Sequence, residues 1–221
     1  RVLSKMIRLQ IAGCFLILLI TISFANAQPR YTETVAALQV RYHNEMQAHF
    51  NYMAYAHKAK SENYPNMSHL FVSFAASEFI HARNFKQVLS DLGVQVEEVA
   101  KPRIKVSSTK ANLKDGIDFE LADIDQRYPQ LLERIKPENH EAAIRFMTYA
   151  WETEKQHRAI LQKIQSGTGI FFGQLAKRIE ETSIQYFVCL VCGGAYIELP
   201  KDICPICKVP ISQFKEVERT K

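Results

Sequence analysis

The sequence predicts an all-α four-helix bundle with one long crossover connection, carrying a small cysteine-built β domain at its C-terminal end. Three observations predict it. Apolar residues recur at steps of three and four almost without interruption from Tyr31 to Gln165. The breaks between periodic segments run short, long, short, which is how a bundle with one crossover is connected. Past residue 166 the helical pattern stops, and two Cys-x-x-Cys pairs follow, Cys189 with Cys192 and Cys204 with Cys207.

Taken in order, residues 1–27 read as an export signal. Arg1, Lys5 and Arg8 precede an apolar run from Ile11 to Phe24, and Ala25-Asn26-Ala27 offers small residues for cleavage near Ala27. The run falls short of the roughly 20 apolar residues of a spanning helix, so a cleaved signal and a periplasmic protein are expected, with a retained membrane anchor as the alternative. The formal charge of +5 includes those three basic residues and no acid from the segment, which leaves +2 for the rest. No Lys/Arg-rich run remains, so no nucleic-acid partner is expected.

Helices are expected over about 31–62, 68–91, 112–135 and 138–165, within a bundle domain of residues 31–165. Asn63-Tyr64-Pro65-Asn66 is a turn signal, and Lys136-Pro137-Glu138 is an equally tight joint. The middle joint, Gly93 to Ala111, is far longer. A single long crossover of this kind belongs to ferritin-like folds. Ser166-Gly167-Thr168-Gly169 then opens a linker, residues 166–185, to a C-terminal domain of residues 186–221.

Of the five cysteines, Cys14 lies in the export segment, so every cysteine of the mature chain sits in the two knuckles. Four thiolates on two tight turns can converge on a tetrahedral metal. Two disulfides are the competing reading in an exported protein, but a bridge within either knuckle would close a very small, strained loop. The spacing by itself leaves zinc and iron both open.

The buried stripe makes the bundle specific. It runs Leu38, Tyr42, Glu45, His49, Tyr52, Ala56 in the first helix and Phe71, Phe74, Glu78, His81, Phe85, Val88 in the second. The third gives Leu113, Ile117, Glu120, Ile124, Leu131, with Asp123 one step aside; the fourth gives Met147, Ala150, Glu154, His157, Leu161, Ile164. Each helix therefore carries a carboxylate in the middle of its apolar face, and two of them add a histidine three residues later. Ionised carboxylates in an apolar interior cost several kcal/mol each unless a positive charge neutralises them. A pair of divalent metal ions does so, and one Glu from each of two helices with Glu-x-x-His from the other two is the ligand pattern of di-iron and di-manganese bundles. A lone Glu-x-x-His would more often be a solvated surface pair; two in core phase are not. His43, His57, His69 and His140, off the stripe or near helix ends, are expected to be solvated. His49 is either a satisfied core histidine or a partner to a ligand, and Tyr52 and Tyr128 are core aromatics whose hydroxyls can reach a ligand carboxylate.

A carboxylate–histidine bundle followed by a four-cysteine module resembles the rubrerythrin family. Glu45-Met-Gln-Ala-His-Phe-Asn-Tyr52 is similar to the family's first-helix motif, Glu78-Phe-Ile-His81 and Glu154-Lys-Gln-His157 to its two Glu-x-x-His motifs, and Asn112 through Pro129 to its third helix. Tyr186 through Cys207, then Pro210 and Phe214, resembles its rubredoxin-like domain. The resemblance implies two Fe ions held by Glu45, Glu78, His81, Glu120, Asp123, Glu154 and His157, with Tyr52 and Tyr128 completing the catalytic set. It also implies one Fe ion, with zinc as the alternative, on Cys189, Cys192, Cys204 and Cys207.

The implied activity is reduction of hydrogen peroxide to water. A head-to-tail homodimer would bring one chain's thiolate iron near the other's metal pair, and a separate electron-donor protein would refill it. The alternative is a ferroxidase or iron-binding protein with a structural zinc ribbon. Three departures stand out: Asp123 where the family has a glutamate that exchanges with a histidine ligand on oxidation, Lys208 where a knuckle glycine is usual, and the export signal. That signal would put the protein out of reach of a cytoplasmic NAD(P)H-linked reductase.

Overall fold

A computed structural model describes residues 30–166, 179–181 and 184–219, apart from the side chains of 120–122 and 163–166. The expected export segment, most of the expected linker and the Ile164 side chain therefore lie outside the described residues. Among the described residues, no helix is long and apolar enough to cross a membrane.

The bundle is built from α1 (Thr32–Ser61), α2 (Pro65–Asp91), α3 (Thr109–Ala122), α4 (Tyr128–Ile135) and α5 (Glu141–Ser166). Helices α1 and α2 form a tight hairpin. Asn63 makes the reversal at φ 62°, a left-handed conformation that asparagine tolerates better than most residues. Pro65 then opens α2 three residues earlier than the sequence suggests, because proline at the first helical position loses no hydrogen bond that the helix would have made. Gly93, at φ 75°, ends α2. The crossover that follows lays Val94, Val96 and Val99 against the bundle. At its end Glu62 accepts from the Thr109 amide at 2.8 Å, which ties the start of α3 to the end of α1.

The third bundle helix is not one continuous α-helix. Asp123–Arg127 form a π-helical turn between α3 and α4. Pro129, two residues past the turn, cannot donate the backbone bond that a regular α-turn needs, so the wider turn sits where the ladder is already broken. Trp151 on α5 donates its indole N–H to the Ile124 carbonyl inside the turn at 3.0 Å. The extra residue also rotates the apolar face. Leu131, expected in the core, is only half-buried, whereas Tyr128, Leu132 and Ile135 are buried.

Two apolar clusters fill the bundle. One gathers Tyr52, Phe71, Phe74, Leu113, Ile117 and Leu161; the other gathers Leu38, Tyr42, Phe85, Tyr128, Leu132 and Met147. Each fully buried side chain of this size contributes about 1.5–3 kcal/mol. Between the clusters lies a polar layer, carried by Glu45, Glu78, His81, Glu154 and His157.

The C-terminal module is a three-stranded antiparallel sheet, ordered β2 (Ala195–Tyr196), β1 (Phe187–Cys189), β3 (Phe214–Glu216). It packs against α2 and α5 by burying Tyr186, Val188, Ala195 and Val217 on the bundle's apolar cluster, and polar side chains of the bundle meet the module's backbone around them. Ser77 donates to the Gly193 carbonyl at 2.7 Å, Asn84 to the Val191 carbonyl at 2.8 Å and Thr153 to the Cys192 carbonyl at 3.1 Å. In return the Ala195 amide donates to Gln156 at 2.9 Å. Bonds of this kind are worth about 0.5–1.5 kcal/mol each when made, and their buried groups cost more when left unmade. The docking also corrects the expectation for His69. It is 1% exposed, because the module covers it and its ring Nε2–H donates to the Val217 carbonyl at 2.8 Å.

Candidate metal centre

Glu45, Glu78, His81 and Glu154 bring one ligand atom each within 4.8 Å of one another, and all four are buried. His157 joins them, its Nδ1 at 3.2 Å from Glu78 Oε1 and 3.3 Å from Glu154 Oε2. Helix α1 supplies one carboxylate, while α2 and α5 supply Glu-x-x-His pairs whose three-residue spacing puts both side chains on one face. Glu120 is on α3 as expected, but its side chain lies outside the described residues. Glu45 Oε2 is buried without a hydrogen-bond donor among the described residues, and Glu78 Oε1 and both Glu154 oxygens meet only the two imidazoles. Buried carboxylate oxygens clustered around two imidazoles suit divalent cations, which carboxylates bridge and imidazoles cap.

The histidines are oriented from behind. His81 Nε2 lies 3.1 Å from the Cys192 carbonyl, and a carbonyl can only accept, so Nε2 carries the proton. That leaves Nδ1 turned to the carboxylates, 3.0 Å from Glu78 and 3.2 Å from Glu154. On the other side of the site the Tyr128 hydroxyl donates to Glu45 Oε1 at 2.5 Å, the role anticipated for it. Tyr52 is buried one turn-pair further along α1, its ring flanked by Phe71 and Phe74. His49 faces elsewhere: its Nδ1–H donates to the Ala75 carbonyl at 2.7 Å.

Asp123 is buried close by, but both of its oxygens are engaged by arginines. Oδ2 accepts from Arg41 at 2.7 Å and Oδ1 from Arg127 at 2.6 Å. Arg41 was missed in the sequence. It stands four residues before Glu45, a spacing that usually marks a solvated ion pair. Here it is 0% exposed and bonds Glu45 as well as Asp123.

Without metal, the site holds protons. Burial lowers the affinity of His81 for a proton, but hydrogen bonding to Glu154 and Glu78 overrides it and pushes the pKa up to about 10. Burial lifts Glu45 to about 8 against the opposing charge of Arg41. Folded Glu45 binds more proton than the unfolded chain between the ordinary carboxylate range and about pH 8, and His81 between the ordinary imidazole range and about pH 10. The metal-free bundle is therefore expected to lose stability as pH rises through those windows. Metals must displace these protons. Calorimetric titration with Fe²⁺ or Co²⁺ should show at least about one proton released per chain, and affinity rising from about pH 6 to about pH 8.

In the module, Cys189 and Cys207 sulfurs are 3.5 Å apart, as are those of Cys192 and Cys204, and all four cysteines are free and buried. A disulfide needs about 2.05 Å. Sulfurs bound at about 2.3 Å to one tetrahedral ion stand well apart from each other, as these do. The knuckle turns close with Gly193 N–H on the Cys189 carbonyl at 2.9 Å and Lys208 N–H on the Cys204 carbonyl at 3.0 Å. Lys208 adopts φ 63°, the left-handed conformation where glycine would carry no penalty.

Gly193 is required twice over. Its φ is 83°, and a Cβ there would stand 2.6 Å from His81 Nε2 and 2.9 Å from Ser77 Oγ. Gly193→Ala should push the knuckle off the bundle, break the contacts of His81 and Ser77 with its carbonyls, and lower stability by about 1–3 kcal/mol in denaturant unfolding.

The rubrerythrin family model matches residues 37–165, more than half of the chain and the whole carboxylate–histidine layer. The chain belongs to the rubrerythrin family. Its sequence is 32% identical to rubrerythrin-2 of Clostridium acetobutylicum over 183 residues, which is 82% of this chain and 95% of that one. The fold matches nigerythrin in its fully reduced, all-ferrous state with a TM-score of 0.71 at 23% identity, over 83% of this chain and 86% of that one. Bacterioferritin of Desulfovibrio desulfuricans matches with a TM-score of 0.64, over 69% of this chain. This rubrerythrin thus combines a ferritin-like bundle holding a Glu/His di-iron site with a C-terminal rubredoxin-like domain around four cysteines.

Proposed function

We propose that this rubrerythrin is a peroxidase that reduces hydrogen peroxide at the Glu/His site, H₂O₂ + 2H⁺ + 2e⁻ → 2H₂O, with electrons entering through the four-cysteine module. The observation that carries the reading is the hydrogen bond from His81 Nε2 to the Cys192 carbonyl, 3.1 Å. It joins a ligand of one candidate site to the ligand loop of the other. When bound, two ferrous ions supply both electrons at once, and a single iron on the cysteines passes them on one at a time.

The chain's own residues set the conditions. Glu45, Glu78, Glu120 and Glu154 would hold the pair, and His81 and His157 would cap it. Tyr128 fixes one Glu45 oxygen and leaves the other facing the site. Burial of every described ligand keeps bulk water out, so reduced metal is not spent on side reactions. Cys189, Cys192 and Cys204 are fully buried and Cys207 is 8% exposed, which makes Cys207 the edge nearest a donor. The module that meets His81 belongs to the same chain, whereas the resemblance implied delivery between chains. The relay proposed here therefore needs no second copy, although a homodimer is compatible with it. Export through residues 1–27 is part of the same proposal, and it requires an electron donor outside the cytoplasm.

A ferroxidase with a structural zinc ribbon is the alternative, and it follows from the ferritin-like bundle alone. The absorption spectrum of the purified, air-oxidised protein separates the two, because ferric thiolate is intensely coloured and zinc thiolate is not. The relay predicts a strong visible band lost on reduction; a colourless, zinc-containing protein would overturn it.

A further inference from the structure

Asp123 is placed to join the metal pair and is held back from it. The ligand atoms of Glu45, Glu78, His81 and Glu154 form a common cluster and His157 faces two of its carboxylates, whereas Asp123 faces two arginines. Arg41 engages Asp123 Oδ2 at 2.7 Å and Arg127 engages Oδ1 at 2.6 Å, so a metal would have to compete with an arginine at either oxygen. Glu45 is treated differently. Arg41 Nε, at 3.1 Å, and Tyr128 both bond its Oε1, so Oε2 stays directed at the cluster.

Arg41 is built into this position. It is fully buried, its guanidinium lies 4.1 Å from the centre of the Tyr128 ring, and its Nη1 has no hydrogen-bond partner among the described residues. An arginine already short of one partner would be left worse off by losing Asp123, because a buried cation stripped of a counter-charge is costly. The π-helical turn that begins at Asp123 also brings Arg127 into reach as the second clamp. On the opposite side, His81 cannot leave the pair without giving up its bond to the Cys192 carbonyl.

We propose that Arg41 is a positioning residue that withholds Asp123 from the metal pair, so that the site keeps one ligand set, with His81 bound, in both oxidation states. This rests on the di-iron reading of the Glu/His site. A fixed histidine preserves the contact through which electrons would arrive, whereas a ligand exchange at His81 would open it once per turnover.

The test is a pair of crystal structures of the iron-loaded full chain, one reduced with dithionite and one oxidised with peroxide. Asp123 should stay on Arg41 and Arg127 in both, with His81 Nδ1 on iron in both. An Asp123 oxygen on iron, or His81 off it, in either state overturns the inference while leaving the di-iron reading intact. Uptake of fewer than two irons in the bundle overturns both.

Arg41→Met then frees Asp123. The Mössbauer quadrupole splitting of its oxidised pair should differ from that of the parent, and Arg41→Met with Asp123→Ala should return it toward the parent value. A shift that persists in the double variant, or none in Arg41→Met, contradicts the positioning role. The two parent crystal structures decide the matter even where Arg41→Met does not fold.

Discussion

Glu154→Ala is expected to abolish the metal pair. Glu154 is one of two carboxylates that both imidazoles face, with His81 Nδ1 at 3.2 Å and His157 Nδ1 at 3.3 Å. Those two imidazole contacts hold its carboxyl well below the usual range in spite of burial. Glu78 shares that place, 3.0 Å from His81 Nδ1 and 3.2 Å from His157 Nδ1, but one carboxylate there cannot bridge two cations as the pair does. Iron content should fall from two per bundle to one or none, and peroxide-driven oxidation of the reduced protein should slow at least 100-fold, about 2.7 kcal/mol of barrier or more. The fold should survive at reduced stability, because the lowered Glu154 carboxyl marks a favourable partner of the imidazoles, while Glu78 still faces both of them and the apolar clusters are untouched. Circular dichroism with iron analysis checks both halves: helical signal retained, metal lost.

The second large effect separates supply from chemistry. Cys204→Ser and Cys207→Ser each remove a thiolate from the module while leaving every bundle ligand in place. A single reaction of the pre-reduced bundle with one equivalent of peroxide should keep a rate within about threefold of the parent, whereas sustained turnover with an external reductant should fall at least 100-fold. Rapid-mixing absorbance measures the first and peroxide consumption at steady state the second. Equal loss in both assays would mean that the module supports the fold of the site instead of feeding it.

Much of this was legible from spacing. Carboxylates at the centre of the α1, α2 and α5 stripes, two with histidine a turn later, located the polar layer because helix periodicity dictates which side chains share a face. Phe71, Phe74, Glu78, His81, Phe85 and Val88 are all essentially inaccessible, as their stripe requires. What escaped was what depends on contacts between distant segments. Arg41 looks like half of a surface pair until Asp123, eighty-two residues on, is folded against it. The π-turn needs Pro129 to break the ladder and Trp151 to take up the Ile124 carbonyl, and only the first is visible locally. His69 is buried because Val217 arrives from the far end of the chain. The contact between His81 and Cys192 likewise depends on Gly193 lacking a side chain, which the knuckle motif explains by backbone conformation and the structure explains again by proximity.

The central claim is that the Glu/His site reacts with peroxide and the cysteine site refills it. Rapid mixing of the fully reduced, iron-loaded chain with hydrogen peroxide, and separately with air-saturated buffer, tests it most directly. The account predicts that the bundle irons oxidise faster with peroxide than with air, and that the ferric-thiolate colour of the module then appears as its electrons are drawn inward. Oxidation no faster with peroxide than with air, or a module that stays colourless throughout, would contradict it.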